Sequence, residues 1–312
     1  YDANPSHRTR VRGLSSVERA AMTLGGTVPE ALMTVVAAAT VFSVMFAIGL
    51  GIVPREFRWV LQHSGLVARG LFSVLIAVPV VALAVARAFD LSRQVEIGIV
   101  LMAISPGAPV ALRRSIDAGG HHAFAPALQI LVAVLAVVSM PLSISLLNEV
   151  YAGHATIEPG QLARQVFTAQ LLPLGLGILT RYAWPAGAAW LEPRLARLAT
   201  ALLLLLAVLA VIDIWQVVVN AGPRIALAIA TVTALALAVG HLLGGPDPAT
   251  RTAVAISSAI RNPGLALVVA TLNAAPPEVI ATVLAYLIVS ASTLIPYVVW
   301  RRTSAPQPID GG

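Results

Sequence analysis

The distribution of apolar residues constrains this chain more than any other feature. Long apolar runs follow one another, separated by short polar or arginine-bearing segments. A membrane-spanning helix needs about 20 predominantly apolar residues. The composition of 58% hydrophobic and 11% charged residues excludes an ordinary soluble domain, in which roughly 25% of residues are charged. The pattern predicts an all-α polytopic membrane protein with about nine transmembrane helices. The predicted runs are Leu32–Ile52, Leu66–Ala88, Val95–Ile104, Ala125–Leu147, Leu162–Tyr182, Leu195–Val219, Ile225–Leu243, Thr252–Asn273 and Val279–Trp300.

Polar segments mark the ends of this predicted membrane domain. Residues 1–30 form a polar, arginine-bearing tail, with a short amphipathic helix expected around Ser15–Leu24. Residues 31–303 form the transmembrane domain, and residues 304–312 form a polar C-terminal tail.

Two of the runs are interrupted by a proline–glycine pair. The third run reaches Ser105-Pro106-Gly107, and the eighth contains Asn262-Pro263-Gly264. Proline removes a backbone donor and glycine frees φ, so each pair is predicted to break its helix. Broken backbone at membrane depth persists only where protein or a water-filled cavity satisfies it. Taken singly, each pair also fits a simple proline kink.

The two interruptions also indicate an internal repeat. Their prolines lie 157 positions apart, and Pro141 and Pro296 lie 155 apart. We therefore expect two repeats, over residues 31–150 and 161–303, with the run 162–182 unmatched. Matched helices lie an odd number of spans apart, so the copies have opposite orientations. Inverted repeats with a discontinuous helix in each copy are typical of secondary transporters, and the breaks mark the binding site.

The basic residues predict the orientation of the chain. All 20 are arginines, and they fall mostly between the apolar runs. Outside the N-terminal tail, most lie on the side that holds the C-terminus, which is therefore predicted to be cytoplasmic. We expect an integral protein of the bacterial inner (plasma) membrane. No basic run alternates with aromatic residues, so nucleic-acid binding is not expected.

A few charged residues lie within the predicted spans. Arg261 adjoins the second break, and a charge at that depth is expected to be functional or paired. Asp213 is a possible coupling residue. Three roles remain open for it: an ion pair with an arginine, the transfer of a proton, or a position near the outer interface. Arg113 and Arg114 are expected to extend to the cytoplasmic interface. Uncharged candidates for a cavity lining are Gln129, Gln170 and Asn262.

The sequence offers no motif for enzymatic chemistry. It has no phosphate-binding loop and no metalloprotease or hydrolase pattern. His121 and His122 are adjacent, but without further ligands they are a weak metal signal. We expect no enzymatic activity, no cofactor and no metal site.

The segments around the two breaks resemble the bile acid:sodium symporter family. The stretch Ile99–Leu147 is similar to the family's S-P-G-G-x-x-S-N motif, its short glycine turn and its helix ending in P-L. The stretch Ile256–Leu267 is similar to the family's E-x-G-x-Q-N-x-x-L-A. The resemblance runs from about residue 40 to residue 302. It implies a core domain with two crossed, discontinuous helices and a panel domain that rocks against it.

The chain departs from the family at the positions that would hold sodium. The family's second glycine is Ala108, its Ser-Asn pair falls on Ala111 and Leu112, its acidic residue on Ser257 and its Gln on Arg261. Only the Asn is kept, as Asn262. The resemblance implies a substrate site at these breaks, and a guanidinium there favours an anionic ligand. The predicted site residues are Ser105, Pro106, Gly107, Ser257, Ser258, Arg261, Asn262, Pro263 and Gly264.

These observations predict a secondary active transporter that moves a small organic anion by alternating access, without the usual sodium sites. Its expected partners are that anion and the lipid bilayer. One alternative is a proton-linked exchanger of the cation/proton antiporter type, with Asp213 as the proton carrier. Another is a ligand-binding membrane sensor that has lost transport.

Overall fold

The computed structural model describes residues 30–51, 62–150, 159–220, 222–273 and 275–304. The predicted tails lie outside these residues, apart from Glu30 at one end and Ser304 at the other. The amphipathic helix expected around Ser15–Leu24 lies outside them as well.

Every regular element in the described part of the chain is a helix, which confirms the all-α expectation. Two of the helices contain a π turn and two helix pairs are separated by a break. The helices are α1 (Glu30–Gly51), α2 (Ser64–Phe72, a π turn over Ser73–Ala77, then Val78–Ala88), α3 (Arg93–Ala103), α4 (Pro109–Asp117), α5 (Phe124–Val150), α6 (Pro159–Val166, a π turn over Phe167–Leu171, then Leu172–Ala183), α7 (Pro185–Asn220), α8 (Gly222–Leu243), α9 (Pro248–Ala259), α10 (Pro263–Leu272) and α11 (Pro277–Ser304).

Several of these helices are suited to a lipid environment. Among the described residues, six helical segments are long and apolar enough to cross a membrane, and Val35–Gly51 in α1 is a shorter apolar helix. Side chains such as Val138, Leu179 and Leu242 are exposed on the surface. These features support an integral membrane protein, while the count of nine spans stays a prediction.

The π turn of α2 leaves one backbone carbonyl without a helical donor. The N–H of Val78 donates to the Ser73 carbonyl instead of the Val74 carbonyl that it would reach in an α-helix. The next residue that could serve Val74 is Pro79, which has no N–H. The Val74 carbonyl therefore needs a donor from elsewhere in the molecule.

Small residues let the helices approach closely, as is typical of membrane proteins. In the packing of α1 against α6, a Cβ on Gly177 would lie 2.9 Å from the Cα of Gly49. In the packing of α8 against α9, a Cβ on Gly240 would lie 2.6 Å from the Cα of Ala255. α1 also packs against α7, so α1, α6 and α7 form one group of helices.

The broken helix formed by α9 and α10 is the most deeply buried part of the described chain. Residues 252–259 and 261–270 are all buried. Their apolar side chains pack with those of α3, α8 and α11 in the largest hydrophobic cluster. This broken helix is therefore held on several sides, which fixes the position of its central residues.

The loop before α5 uses one of the two adjacent histidines as a helix cap. The Nδ1 atom of His121 accepts hydrogen bonds from the backbone N–H of Ala123 (3.3 Å) and of Phe124 (3.1 Å). Burial lowers the pKa of His121, while the nearby Asp247 opposes that shift. The ring is thus held in a structural role at the start of α5.

The contact between α1 and α6 gives a stability prediction. Gly177→Ala places a methyl group against the backbone of α1, and overpacking of this kind costs about 1–3 kcal/mol. We expect a lower melting temperature for the detergent-solubilised protein. Gly175→Ala on the same helix is the matched control, because a Cβ there meets nothing within 4 Å. Equal melting temperatures for the two variants would contradict this packing.

Candidate functional site

The first break separates α3 from α4 at the predicted Ser105-Pro106-Gly107 segment. Pro106 has no backbone N–H to continue the helix, and Gly107 adopts a φ of +82° that other residues rarely adopt. The hydroxyl of Ser105 donates to the carbonyl of Leu101, 2.6 Å away. α4 then begins at Pro109, with no side-chain cap at its N-terminus.

The second break separates α9 from α10 at the predicted Asn262-Pro263-Gly264 segment. The side-chain oxygen of Asn262 accepts from the backbone N–H of Leu265 at 3.0 Å and so caps α10, which begins at Pro263. Gly264 is helical rather than in the left-handed region. A Cβ there would lie 2.6 Å from Cγ2 of Val41, so this glycine permits close approach of α1.

The two breaks are joined by a backbone hydrogen bond. The N–H of Asn262 donates to the carbonyl of Ser105 at 2.9 Å. In a continuous helix that N–H would bond to the Ser258 carbonyl four residues earlier. The contact between the breaks therefore leaves the last turn of α9 with a free carbonyl.

Arg261 supplies the missing donors for both freed carbonyls. Its Nη1 donates to the Val74 carbonyl in α2 at 2.9 Å, and its Nη2 donates to the Ser258 carbonyl in α9 at 2.7 Å. The residue is only 3% exposed. Beside it, the hydroxyls of Ser73 and Ser258 are hydrogen bonded at 2.8 Å. One guanidinium thus links α2 to α9 through their backbones.

Several buried polar atoms around the breaks have no partner within the described residues. They include Nε of Arg261, Nδ2 of Asn262, and both Oε1 and Nε2 of Gln170. Gln170 lies on the π turn of α6, is fully buried, and faces the first break: a Cβ on Gly107 would lie 3.1 Å from its Oε1. Buried polar atoms are rarely left unpaired, so the junction has spare capacity to bind water or a solute.

A cavity of about 580 Å³ opens beside the two breaks. Most of its wall is apolar and comes from α1, α10 and α11, together with the start of α4. Three arginines also line it, and no aspartate or glutamate does among the described residues. The cavity is therefore apolar with positive charge, which suits an anion that carries an apolar body. Its arginines are Arg114, Arg261 and Arg302.

The structure separates the predicted site residues into two sets. Four of them line the cavity: Arg261, Asn262, Pro263 and Gly264. The other five are buried behind its wall: Ser105, Pro106, Gly107, Ser257 and Ser258. The side chain of Asp213 lies outside the described residues, although α7 passes through that position. A ligand-binding role for any of these residues stays a prediction.

Other lining residues were not predicted from the sequence. Ser290 and Ser292 interrupt the apolar run of α11, the same kind of signal that marked Asn262. Thr40 and Arg302 also line the cavity. Arg114, which the sequence assigned to the interface, has an exposed side chain that borders the cavity.

The positions that the family resemblance assigns to sodium ligands offer few side-chain oxygens. Ala111 is buried and apolar, and Leu112 packs against a small hydrophobic cluster. Ser257 provides a hydroxyl where the family has a carboxylate. Nearby, the carbonyls of Val74 and Ser258 are already bound by the guanidinium of Arg261.

Apolar helices long enough to cross a membrane, together with two broken helices that meet beside a cavity, define the architecture of a membrane transporter. Residues 38–221 match the sodium bile acid symporter family, and the chain belongs to that family. The chain is also similar to YocS of Bacillus subtilis (strain 168), described as an uncharacterized sodium-dependent transporter. The two are 25% identical over 244 residues, which cover 75% of this chain and 73% of YocS.

The hydrogen bonds of Arg261 predict a structural effect of its removal. Arg261→Gln loses at least one of two charged hydrogen bonds and leaves a buried carbonyl unpaired, so we expect a loss of about 2–3 kcal/mol in the free energy of unfolding. The measurement is denaturant or thermal unfolding in detergent.

Arg302→Gln is the control for this prediction, because Arg302 lines the same cavity. Its contacts with Asp117 are exposed to solvent, and exposed ion pairs contribute about 0–1 kcal/mol. Equal stability of the Arg261 variant and the wild type would show that the two carbonyls do not depend on this guanidinium.

Proposed function

We propose that the protein is a secondary transporter that moves a small organic anion with an apolar body by alternating access. The observation that carries this proposal is the charge of the cavity: three arginines and no carboxylate in a mostly apolar wall, among the described residues. Such a wall disfavours cations and compensates the desolvation of a carboxylate or sulfonate. Membership of the family supports the class of transporter.

The charged group of the anion is proposed to bind at the junction of the two breaks. The N-terminus of α4 faces the cavity through Ala108 and Val110 and has no side-chain cap. The N-terminus of a helix carries partial positive charge and unpaired N–H groups. Together with Arg261, it provides a positive end to the apolar cavity.

The proposed architecture has nine spans in two inverted repeats. In each half, a broken helix is followed by a long helix with an internal proline, Pro141 in α5 and Pro296 in α11. The fifth span, α6, has no counterpart. We propose that α1, α6 and α7 form the panel and that the other helices form the core.

Sodium is proposed not to bind at the junction. The family positions for its ligands hold Ala111, Leu112 and Ser257, and the guanidinium of Arg261 occupies the nearest free carbonyls. A fixed cation at this position electrostatically opposes a mobile one. The description of YocS as sodium-dependent concerns that protein, from which this chain would differ.

The experiment for this function is counterflow of taurocholate, an amphipathic sulfonate, into proteoliposomes preloaded with unlabelled taurocholate. Counterflow requires no knowledge of the coupling ion. We expect saturable uptake of the labelled anion, at the same rate in sodium chloride and in choline chloride.

Protein-free vesicles are the control for leakage. Uptake that requires sodium would contradict the proposal that sodium does not bind, while the assignment as a transporter would still stand. Saturable binding without counterflow would indicate a sensor in place of a transporter.

Alternating access is supported by the hydrogen bond between Asn273 and Gln165, which lies on the side of the molecule opposite the cavity arginines. The course of α9 and α10 shows which side this is. The N–H of His121, in the loop after α4, bonds to the Ala249 carbonyl near the start of α9, so these two ends share one face. α9 leads from there to the junction, and α10 leads away to Asn273. Nδ2 of Asn273 donates to Oε1 of Gln165 on α6 at 3.1 Å. We propose that this bond closes the outer side while the cavity is open to the cytoplasm.

A cross-link across this contact is predicted to stop transport. The chain has no cysteine, so Gln165→Cys with Asn273→Cys can be joined by a short thiol-reactive, disulfide-forming cross-linker. We expect cross-linking to abolish taurocholate counterflow, because the outer side can no longer open, and reduction to restore it. The two single-cysteine variants are the controls. Full counterflow in the cross-linked protein would rule out an opening motion at this contact.

A further inference from the structure

A second cavity of about 650 Å³ adjoins the first one. It lies between α1, α4 and α7, on the side of the molecule toward which α4 runs from the junction. We call the cavity at the junction the junction cavity and this second one the vestibule. Four residues line both cavities, and we call the place where they lie the neck: Val44, Val110, Arg114 and Leu204.

The neck contains one charged group among three apolar side chains. The guanidinium of Arg114 has no hydrogen bond or ion pair with any described residue. Its neighbours on this side are held: Arg113 donates to the Thr200 hydroxyl at 3.4 Å, and Arg302 contacts Asp117. The nearest carboxylate on α4, that of Asp117, is therefore already engaged.

The acidic residues of this region line only the vestibule. They are Asp117 on α4 and Glu192 on α7. Glu192 packs near the end of α1, where a Cβ on Gly51 would lie 3.9 Å from its Cγ. A solute that moves from the vestibule toward the junction thus leaves a wall of mixed charge and passes a neck whose charge is positive.

We propose that Arg114 is a second anion-binding position, which selects the charged group of the solute at the neck before it reaches the junction. This inference rests on the proposed transport of an organic anion. Against the three apolar side chains of the neck a carboxylate or sulfonate loses part of its hydration, and a guanidinium compensates it with charged hydrogen bonds. A neutral solute gains nothing from Arg114, and a cation is repelled.

Val110 and Arg114 are spaced so that α4 itself guides the anion. They lie four residues apart, on one face of the helix, and both line the neck. Val110 also belongs to the uncapped first turn of α4. The guanidinium of Arg114 therefore lies about one helical turn from the positive N-terminus of α4, on the same face of the helix.

The test compares arginine variants in the taurocholate counterflow assay, in sodium-free buffer. We expect Arg114→Gln to raise the KM for taurocholate about tenfold while changing kcat less than twofold, because the position binds the anion in passage. Arg114→Lys is expected to retain most of the affinity, since a point charge suffices at the neck. Arg197→Gln removes a charge from α7 at a residue that lines neither cavity, and is expected to leave KM unchanged.

An uncharged analogue separates charge selection from a structural effect. Methyl cholate has the apolar body without the charge, so its inhibition constant is expected to be the same in the wild type and in Arg114→Gln. Equal loss of affinity for both compounds would show a structural role and overturn the inference.

An unchanged KM for taurocholate in Arg114→Gln would also overturn the inference about Arg114. If the wild type still showed counterflow, the proposed transport function would stand. Absence of counterflow in the wild type would instead contradict the proposed function itself.

Discussion

The structure depends on how it satisfies backbone carbonyls that are freed inside the membrane. Each such group costs several kcal/mol in hydrocarbon if it stays unpaired. The bond from Asn262 to Ser105 joins the breaks but takes the donor away from the Ser258 carbonyl. Pro79, after the π turn, deprives the Val74 carbonyl of its donor. The guanidinium of Arg261 donates to both carbonyls. The breaks, the π turn and this arginine therefore depend on one another.

This arrangement makes the fold and the candidate site inseparable. A residue that donates to two carbonyls is a structural link, yet its positive charge borders the junction cavity without a carboxylate partner in the described part of the chain. A guanidinium keeps its charge in proteins. The same side chain that holds α2 against α9 therefore contributes positive charge at the junction, and a variant that removes it is expected to change both the stability and the proposed preference for anions.

The sequence predicted the features that depend on single residues and missed those that depend on packing. Proline and glycine act on their own backbone, so both breaks could be located from Pro106 and Pro263, and Arg261 stood out by its depth. The π turn before Pro79 and the direction of Gln170 depend on neighbouring helices, which an isolated run does not specify. Arg114 was assigned to the interface because length and charge favour it there, whereas its place at the neck depends on how α4 packs against α1 and α7.

The position of the arginines also bears on the proposed alternating-access cycle. Arg114 is exposed to the cavity, so water can solvate it in the proposed state that is open to the cytoplasm. Closure of that side would remove the water and leave a desolvated guanidinium, which is costly unless a counter-ion accompanies it. A bound anion supplies that counter-ion, so closure is easier with the substrate than without it. For this reason we expect anion exchange to be faster than net transport, since the return of the empty carrier is the step that the unpaired charge opposes.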